Sequence, residues 1–184
     1  YHELCQSTGY PLGYMLPQRN IIGGMMERLW SPWRMQYIED NDAPTCPFCI
    51  SQQEAEQLSG LILSAKTCAY AILNLYPYNS GHLMVIPYRH IANMSDITKT
   101  EFGEITSLLQ DAVHALNRAL EPTGFNVGMN IGDSGGAGIP NHLHFHVVPR
   151  WTGDTNFMPV IGETKVMPES LQQTKSKLMK VWPA

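Results

Sequence analysis

The sequence predicts an α+β fold, a largely antiparallel sheet with helices packed on one side, and three observations predict it. Short apolar runs bounded by turn residues recur on both sides of a single long helical period. A tight turn joins two of these runs as a hairpin, which makes that pair antiparallel. The chain has 184 residues, 43% of them hydrophobic and 15% charged, enough for one core and one domain.

Residues 1–24 carry scattered Gly, Pro and Tyr with no sustained period, and Met25 or Met26 followed by Glu-Arg-Leu-Trp30 reads as a natural start. The first 24 residues are expected to be a leader or an extension, and the single domain to span 25–184. After Trp30–Tyr37 comes a loop, 41–49, ending in Cys46-Pro-Phe-Cys49, then a short polar helix over Ile50–Leu58. Strands are predicted over Leu61–Ser64, Ala69–Leu75 and His82–Ile86, with Pro77-Tyr-Asn-Ser-Gly81 turning between the last two.

The clearest helix runs from Lys99 to Leu120, with Phe102, Ile105, Leu108, Leu109, Ala112, Val113, Leu116 and Leu120 on one stripe. Thr98 and Glu101 form a capping box, Ile97 is placed to staple onto Phe102, and Pro122 with Gly124 marks the far end. His114 faces away from the stripe, as a surface residue does. Strands over Phe125–Ile131 and Leu143–Pro149 flank a glycine-rich loop, and an amphipathic helix over Pro168–Val181 closes the chain.

The net charge of −4 and the lack of a long basic block give no electrostatic basis for nucleic acid or an anionic membrane as partner. No apolar run reaches the length of a membrane span and no secretory pattern opens the chain, so a cytoplasmic location is expected. In that compartment Cys46-x-x-Cys49 reads as metal or redox chemistry, with plain buried cysteines as the bland alternative. Cys68, before an apolar run, reads as a small buried hydrophobe.

The most telling run is His142-Leu-His144-Phe-His146-Val-Val-Pro-Arg-Trp151. On a strand, alternate residues share a face, so the spacing aims three imidazoles one way and sends Leu143, Phe145 and Val147 into a core. Just before it, Gly132, Gly135, Gly136 and Gly138 let backbone N–H groups approach an anion closely, and phosphate is the natural guest. His82, inside an apolar stretch, reads as a structural histidine hydrogen-bonded in the core.

The run His142-Leu-His144-Phe-His146-Val-Val resembles the signature of the histidine triad (HIT) nucleotide hydrolases and transferases. Upstream, Asn74-x-x-Pro77-x-x-x-Gly81-His82-x-x-Val-Ile-Pro87 is similar to the other half of that family's core, and the likeness covers roughly Trp30–Trp151. Phrases such as Leu29-Trp-Ser-Pro-Trp-Arg-Met35 and Gly124-Phe-Asn-Val-Gly128 resemble the bacterial diadenosine tetraphosphate phosphorylase and hydrolase group. The resemblance implies a HIT-like fold, a homodimer built on the long helix and an edge strand, and a nucleotide or dinucleoside polyphosphate substrate.

By that resemblance His144 is the nucleophile, its far ring nitrogen held by the carbonyl of His142, and His146 meets the phosphate or leaving oxygen. It also implies that Asn130 and the amides of Gly136 to Gly138 stabilise charge on non-bridging oxygens, and that Asn74 binds ribose. One departure stands out: the loop reads Gly136-Ala-Gly138-Ile-Pro-Asn where many relatives carry a Ser or Gln. The same resemblance adds His90 and His142 to Cys46 and Cys49 as a structural zinc site with no open position for water. A nucleotide-binding module with little turnover and a catalytic metal site on the histidine strand are the competing readings; the loop lacks the carboxylates the second usually needs.

Overall fold

The structure, a computed structural model, describes residues 46–58, 60–162 and 166–183. These belong to the unit spanning 31–184, and the expectations for residues 1–24 and for Trp30–Tyr37 lie outside the described residues. Among the described residues five strands form one sheet: β1 (Ile62–Ala65), β2 (Ala69–Leu73), β3 (Leu83–Pro87), β4 (Gly124–Met129) and β5 (Phe145–Arg150). Their order is β1-β2-β3-β5-β4 and every neighbouring pair is antiparallel, the β2–β3 pair being the hairpin the turn signal predicts.

Among the described residues four α-helices accompany the sheet: α1 (Gln52–Glu56), α2 (Lys99–Leu120), α3 (Met158–Ile161) and α4 (Leu171–Met179). The α2 boundaries are those the sequence predicts because its ends are chemically specified. Thr98 Oγ1 accepts the Glu101 N–H at 3.2 Å while the Glu101 carboxylate accepts the Thr98 N–H at 2.8 Å. Glu121 then leaves the helix in the left-handed region at φ 47°.

The buried face of α2 runs through Ile105, Leu108, Ala112, Ala115 and Leu116, packed on Leu63, Leu73, Leu83 and Val147 at one end and Ala69, Ala71, Val85 and Phe145 at the other. Phe102, placed on the stripe by its period, is instead 42% exposed. The buried position in that first turn belongs to Glu101, whose carboxylate takes two N–H bonds from Arg89, at 2.6 and 2.8 Å. The turn before β3 closes on this helix at Gly81, where φ is +76° and an added Cβ would lie 2.7 Å from a Leu120 methyl. Only glycine fits there.

Other differences are local. The C-terminal helix is shorter than predicted, starting at the Ser170–Gln173 capping box, and the one-turn α3 has too few residues to leave a periodic signal. Leu178 anchors α4 beside Ala112 and Leu116, and Lys175 Nζ donates to the carbonyls of Leu58 and Gly60, fixing the segment ahead of β1. No helix among the described residues is long and apolar enough to cross a membrane.

Candidate active site and metal centre

The strand carrying the histidines begins later than the alternation suggests. β5 pairs with β3 and β4 only from Phe145 onward, so His142 and His144 lie on its extended approach, where the Leu143 N–H donates to Ile91 O at 2.7 Å. Leu143, Phe145 and Val147 are buried in the core. His144 is 4% exposed, its ring 4.9 Å from that of His146 and 5.0 Å from that of Phe48. Its Nδ1 lies 2.8 Å from the carbonyl oxygen of His142. A carbonyl only accepts, so Nδ1 carries the proton and Nε2 presents a lone pair. Burial lowers the basicity of this ring, which keeps it neutral, and the His142 carbonyl partly offsets the shift.

His146 is set the other way. The backbone N–H of Tyr78 donates to His82 Nδ1 at 3.0 Å, which makes that nitrogen an acceptor and puts the His82 proton on Nε2. His82 Nε2 lies 2.9 Å from His146 Nδ1, so it donates there, and His146 carries its own proton on Nε2. His82 is fully buried and its basicity falls to about 3, by desolvation first and then by the neighbouring His146 and His144, so this tautomer persists at neutral pH. The structural histidine of the sequence reading is thus buried and hydrogen-bonded, with a triad histidine as its partner.

Asn74 sits at the end of β2, its Oδ1 accepting the Tyr76 N–H at 2.9 Å and its Nδ2 lying 3.4 Å from His82 Nδ1. Asn130 follows β4, and its Nδ2 donates to the Gly136 carbonyl at 3.3 Å, tying the glycine loop to the strand. A 3₁₀ turn over Asp133–Gly135 folds that loop back, with Gly132 and Gly136 at φ +69° and +81°. Gly138 leads directly into buried Ile139 and the histidine approach.

On the other side of His142, Cys46, Cys49, His90 and His142 bring one ligand atom each within 4.8 Å of all the others. The Sγ of Cys49 is 3.2 Å from His90 Nδ1 and 3.6 Å from His142 Nδ1, and that of Cys46 is 3.4 Å from His142 Nδ1. Tetrahedral zinc bonded to sulfur and nitrogen sets S···N separations of about 3.6 Å, so the donor set fits that ion. The Nε2–H of His142 donates to Pro87 O at 2.8 Å, which leaves Nδ1 as the ligand nitrogen. Burial and the adjacent Cys46 push the Cys49 thiol up, a penalty that a bound cation removes.

The HIT domain family matches residues 54–153. Over 166 residues the chain is 41% identical to the AP-4-A phosphorylase of Mycobacterium tuberculosis, covering 85% of each. This chain belongs to the HIT family. Within it, the chain is 29% identical over 84 residues to the asymmetrical bis(5'-nucleosyl)-tetraphosphatase of Schizosaccharomyces pombe, 46% of each chain. A histidine triad nucleotide-binding protein of Sulfolobus tokodaii shares the fold of this HIT protein at TM-score 0.59 and 26% identity, covering 74% of this chain and 91% of its own. A zinc-bound histidine triad family protein of Mycobacterium smegmatis also has TM-score 0.59, at 22% identity over 74% and 92%.

Two features of this HIT protein escaped the sequence reading. One is the His82–His146 contact, 64 residues apart in sequence, which depends on the β3–β5 register. The other is a polar cluster beyond His146: Arg150 donates to both carboxylate oxygens of Asp154, at 2.6 and 2.9 Å, and to Asn126 Oδ1 at 2.8 Å, while Asn79 Nδ2 donates to Asp154 at 2.8 Å. Arg150 ends β5 and Asp154 lies past the following turn, so their four-residue spacing carries no helical signal that a sequence reading could use.

Proposed function

We propose that this HIT enzyme cleaves dinucleoside polyphosphates, of which diadenosine tetraphosphate is the type, through a nucleotidyl-His144 intermediate. The observation that carries the reading is the opposite protonation of neighbouring rings: a lone pair on His144 Nε2 beside an N–H on His146 Nε2. His144 attacks the α-phosphorus in line; the bond from phosphorus to the bridging oxygen breaks, and His146 donates a hydrogen bond to that oxygen as it gains charge. A second acceptor, water or inorganic phosphate, then displaces the nucleotide from His144. Asn130 and the amides of Gly136 and Gly138 stabilise the non-bridging oxygens, and Asn74 holds the ribose at the end of β2. The AP-4-A phosphorylase and tetraphosphatase names of the relatives support this substrate class.

Cys46, Cys49, His90 and His142 would hold a structural zinc. It would supply no chemistry of its own: all four positions are protein ligands, and it would brace the residue whose carbonyl orients His144. Reduced thiols are needed for this, which supports a cytoplasmic location. A homodimer through α2 and β4 is supported by the place of β4 at the sheet edge among the described residues and by exposed Val127 and Phe102; sedimentation of the protein and of Val127→Asp tests it. The enzymatic reading is tested by product analysis with diadenosine tetraphosphate. AMP with ATP identifies water as acceptor, ADP with ATP identifies phosphate, and neither product overturns the reading.

A further inference from the structure

Past His146 the sheet face continues as an open groove of about 420 Å³, floored by Gly128 and Val148, walled by Tyr78 and Asn126, and ending at Arg150. That volume lies within the range of about 300–1,000 Å³ typical of small-molecule sites. The floor follows from register. Gly128 sits opposite His146 and Asn126 opposite Val148, and cross-strand partners share a face, so β4 and β5 present one continuous surface. At about 3.4 Å per residue, His146 to Arg150 spans roughly 14 Å, long enough for a nucleoside and its nearest phosphate. Asn74, at the end of β2, lies across the His82–His146 pair from this groove.

The chemistry of the far end suits a nucleoside better than a bare phosphate. The Arg150 guanidinium has five N–H donors. Asp154 takes two of them and Asn126 a third, which leaves two for a ligand. With its charge balanced by Asp154 and its plane fixed by three hydrogen bonds, two to Asp154 and one to Asn126, while Asn79 holds Asp154 in turn, the group is a rigid, planar surface for a base. Gly128 keeps the floor open: its backbone is ordinary strand, and a Cβ added there meets nothing within 4 Å.

We propose that this groove is the subsite for the leaving half of the substrate: a second nucleoside, lying over Gly128 and Val148 and recognised by Asn126 and Arg150. This rests on the dinucleoside polyphosphate reading above, and it makes the groove the element that distinguishes a dinucleotide from a mononucleotide with the same phosphate chain.

The test is equilibrium binding of two non-hydrolysable ligands, methylene-bridged diadenosine tetraphosphate and the matching adenosine tetraphosphate capped at its terminal phosphate as the methyl ester, which differ in the distal nucleoside and carry the same phosphate charge. Wild-type protein is expected to bind the dinucleotide at least tenfold more tightly. Gly128→Leu, which fills the groove without backbone strain, is expected to abolish that preference. No preference in the wild type, or a preference that survives Gly128→Leu in folded protein, overturns the proposal. If Gly128→Leu does not fold, Asn126→Leu takes its place, and retention of the preference there overturns it equally. Because binding is measured, failure of the chemistry is seen separately, as absence of turnover of hydrolysable diadenosine tetraphosphate by the wild type.

Discussion

Removing the His82 side chain is expected to cripple turnover although His82 itself is not placed against substrate. His82 accepts the Tyr78 N–H at 3.0 Å and donates to His146 Nδ1 at 2.9 Å, in a site with no solvent exposure. His82→Ala deletes both bonds, each about 1 kcal/mol net, and leaves a small cavity and a buried N–H, for a total destabilisation of roughly 2–4 kcal/mol. The effect on the barrier is separate. Without the donor at Nδ1, the His146 proton is free to move there, and the bond from Nε2–H to the leaving oxygen is lost. A hydrogen bond to a charged group contributes about 1.5–3 kcal/mol, so the rate should fall roughly 10- to 100-fold. His82→Gln offers an acceptor and a donor on opposite sides of one amide and should recover most of the loss. Single-turnover rates, measured below the melting temperature of each variant, should show the Ala defect on diadenosine tetraphosphate. The defect should shrink on a nucleotide ester of p-nitrophenol, whose leaving oxygen needs no donor. Wild-type rates for folded His82→Ala, or equal losses for Ala and Gln on both substrates, would refute the relay.

His144→Asn should fold and lose nearly all turnover; a loss of tenfold or less, about 1.4 kcal/mol in barrier height, sinks the covalent mechanism. Purified wild-type protein should carry about one zinc per chain by elemental analysis, and Cys46→Ser should lose the metal and melt at a lower temperature. Zinc-free wild type prepared in metal-replete medium counts against the site. Stability should fall in acid through Glu101, whose carboxyl is held at about 2, first by the Arg89 guanidinium and then by the Thr98 cap, against 4.5 in the unfolded chain. That contribution is complete above pH 4.5 and disappears between pH 4.5 and 2; with Arg89 half-exposed it amounts to roughly 2 kcal/mol, and Glu101→Gln should flatten this part of a denaturation-versus-pH curve.

Much of this architecture is written locally. The ends of α2 were legible because a capping box needs only residues three apart, and the strands because their apolar runs are short and bounded by turn residues. Phe102 misled for a related reason: its period is right, but burial in the first turn went to Glu101 through Arg89, twelve residues upstream and invisible to periodicity. The start of β5 was misjudged because alternation of apolar and polar residues continues unbroken from His142 while strand pairing does not. The Cys46–Cys49–His90–His142 group spans contacts of 41, 93 and 96 residues; the CxxC spacing marks only its two thiols, and His90 and His142 come from the resemblance alone.

Two identical side chains, two residues apart along one face, thus hold their protons on opposite ring nitrogens, and the cause lies in groups that cannot titrate. The His142 carbonyl can only accept, which fixes the His144 proton on Nδ1; the Tyr78 amide can only donate, which fixes the His146 proton on Nε2 by way of His82. Each backbone group is held by its own anchor. His142 is tied to Pro87 O and to the two cysteines, and Tyr78 lies in the turn that Gly81 lets close against Leu116 and Leu120. The proposed division between nucleophile and donor therefore rests on the fold and not on the histidines alone. A substitution that loosens either anchor should reduce turnover while leaving all three histidines of the run in place, and damage to both anchors should be more than additive only if the two rings act on the same reacting phosphorus.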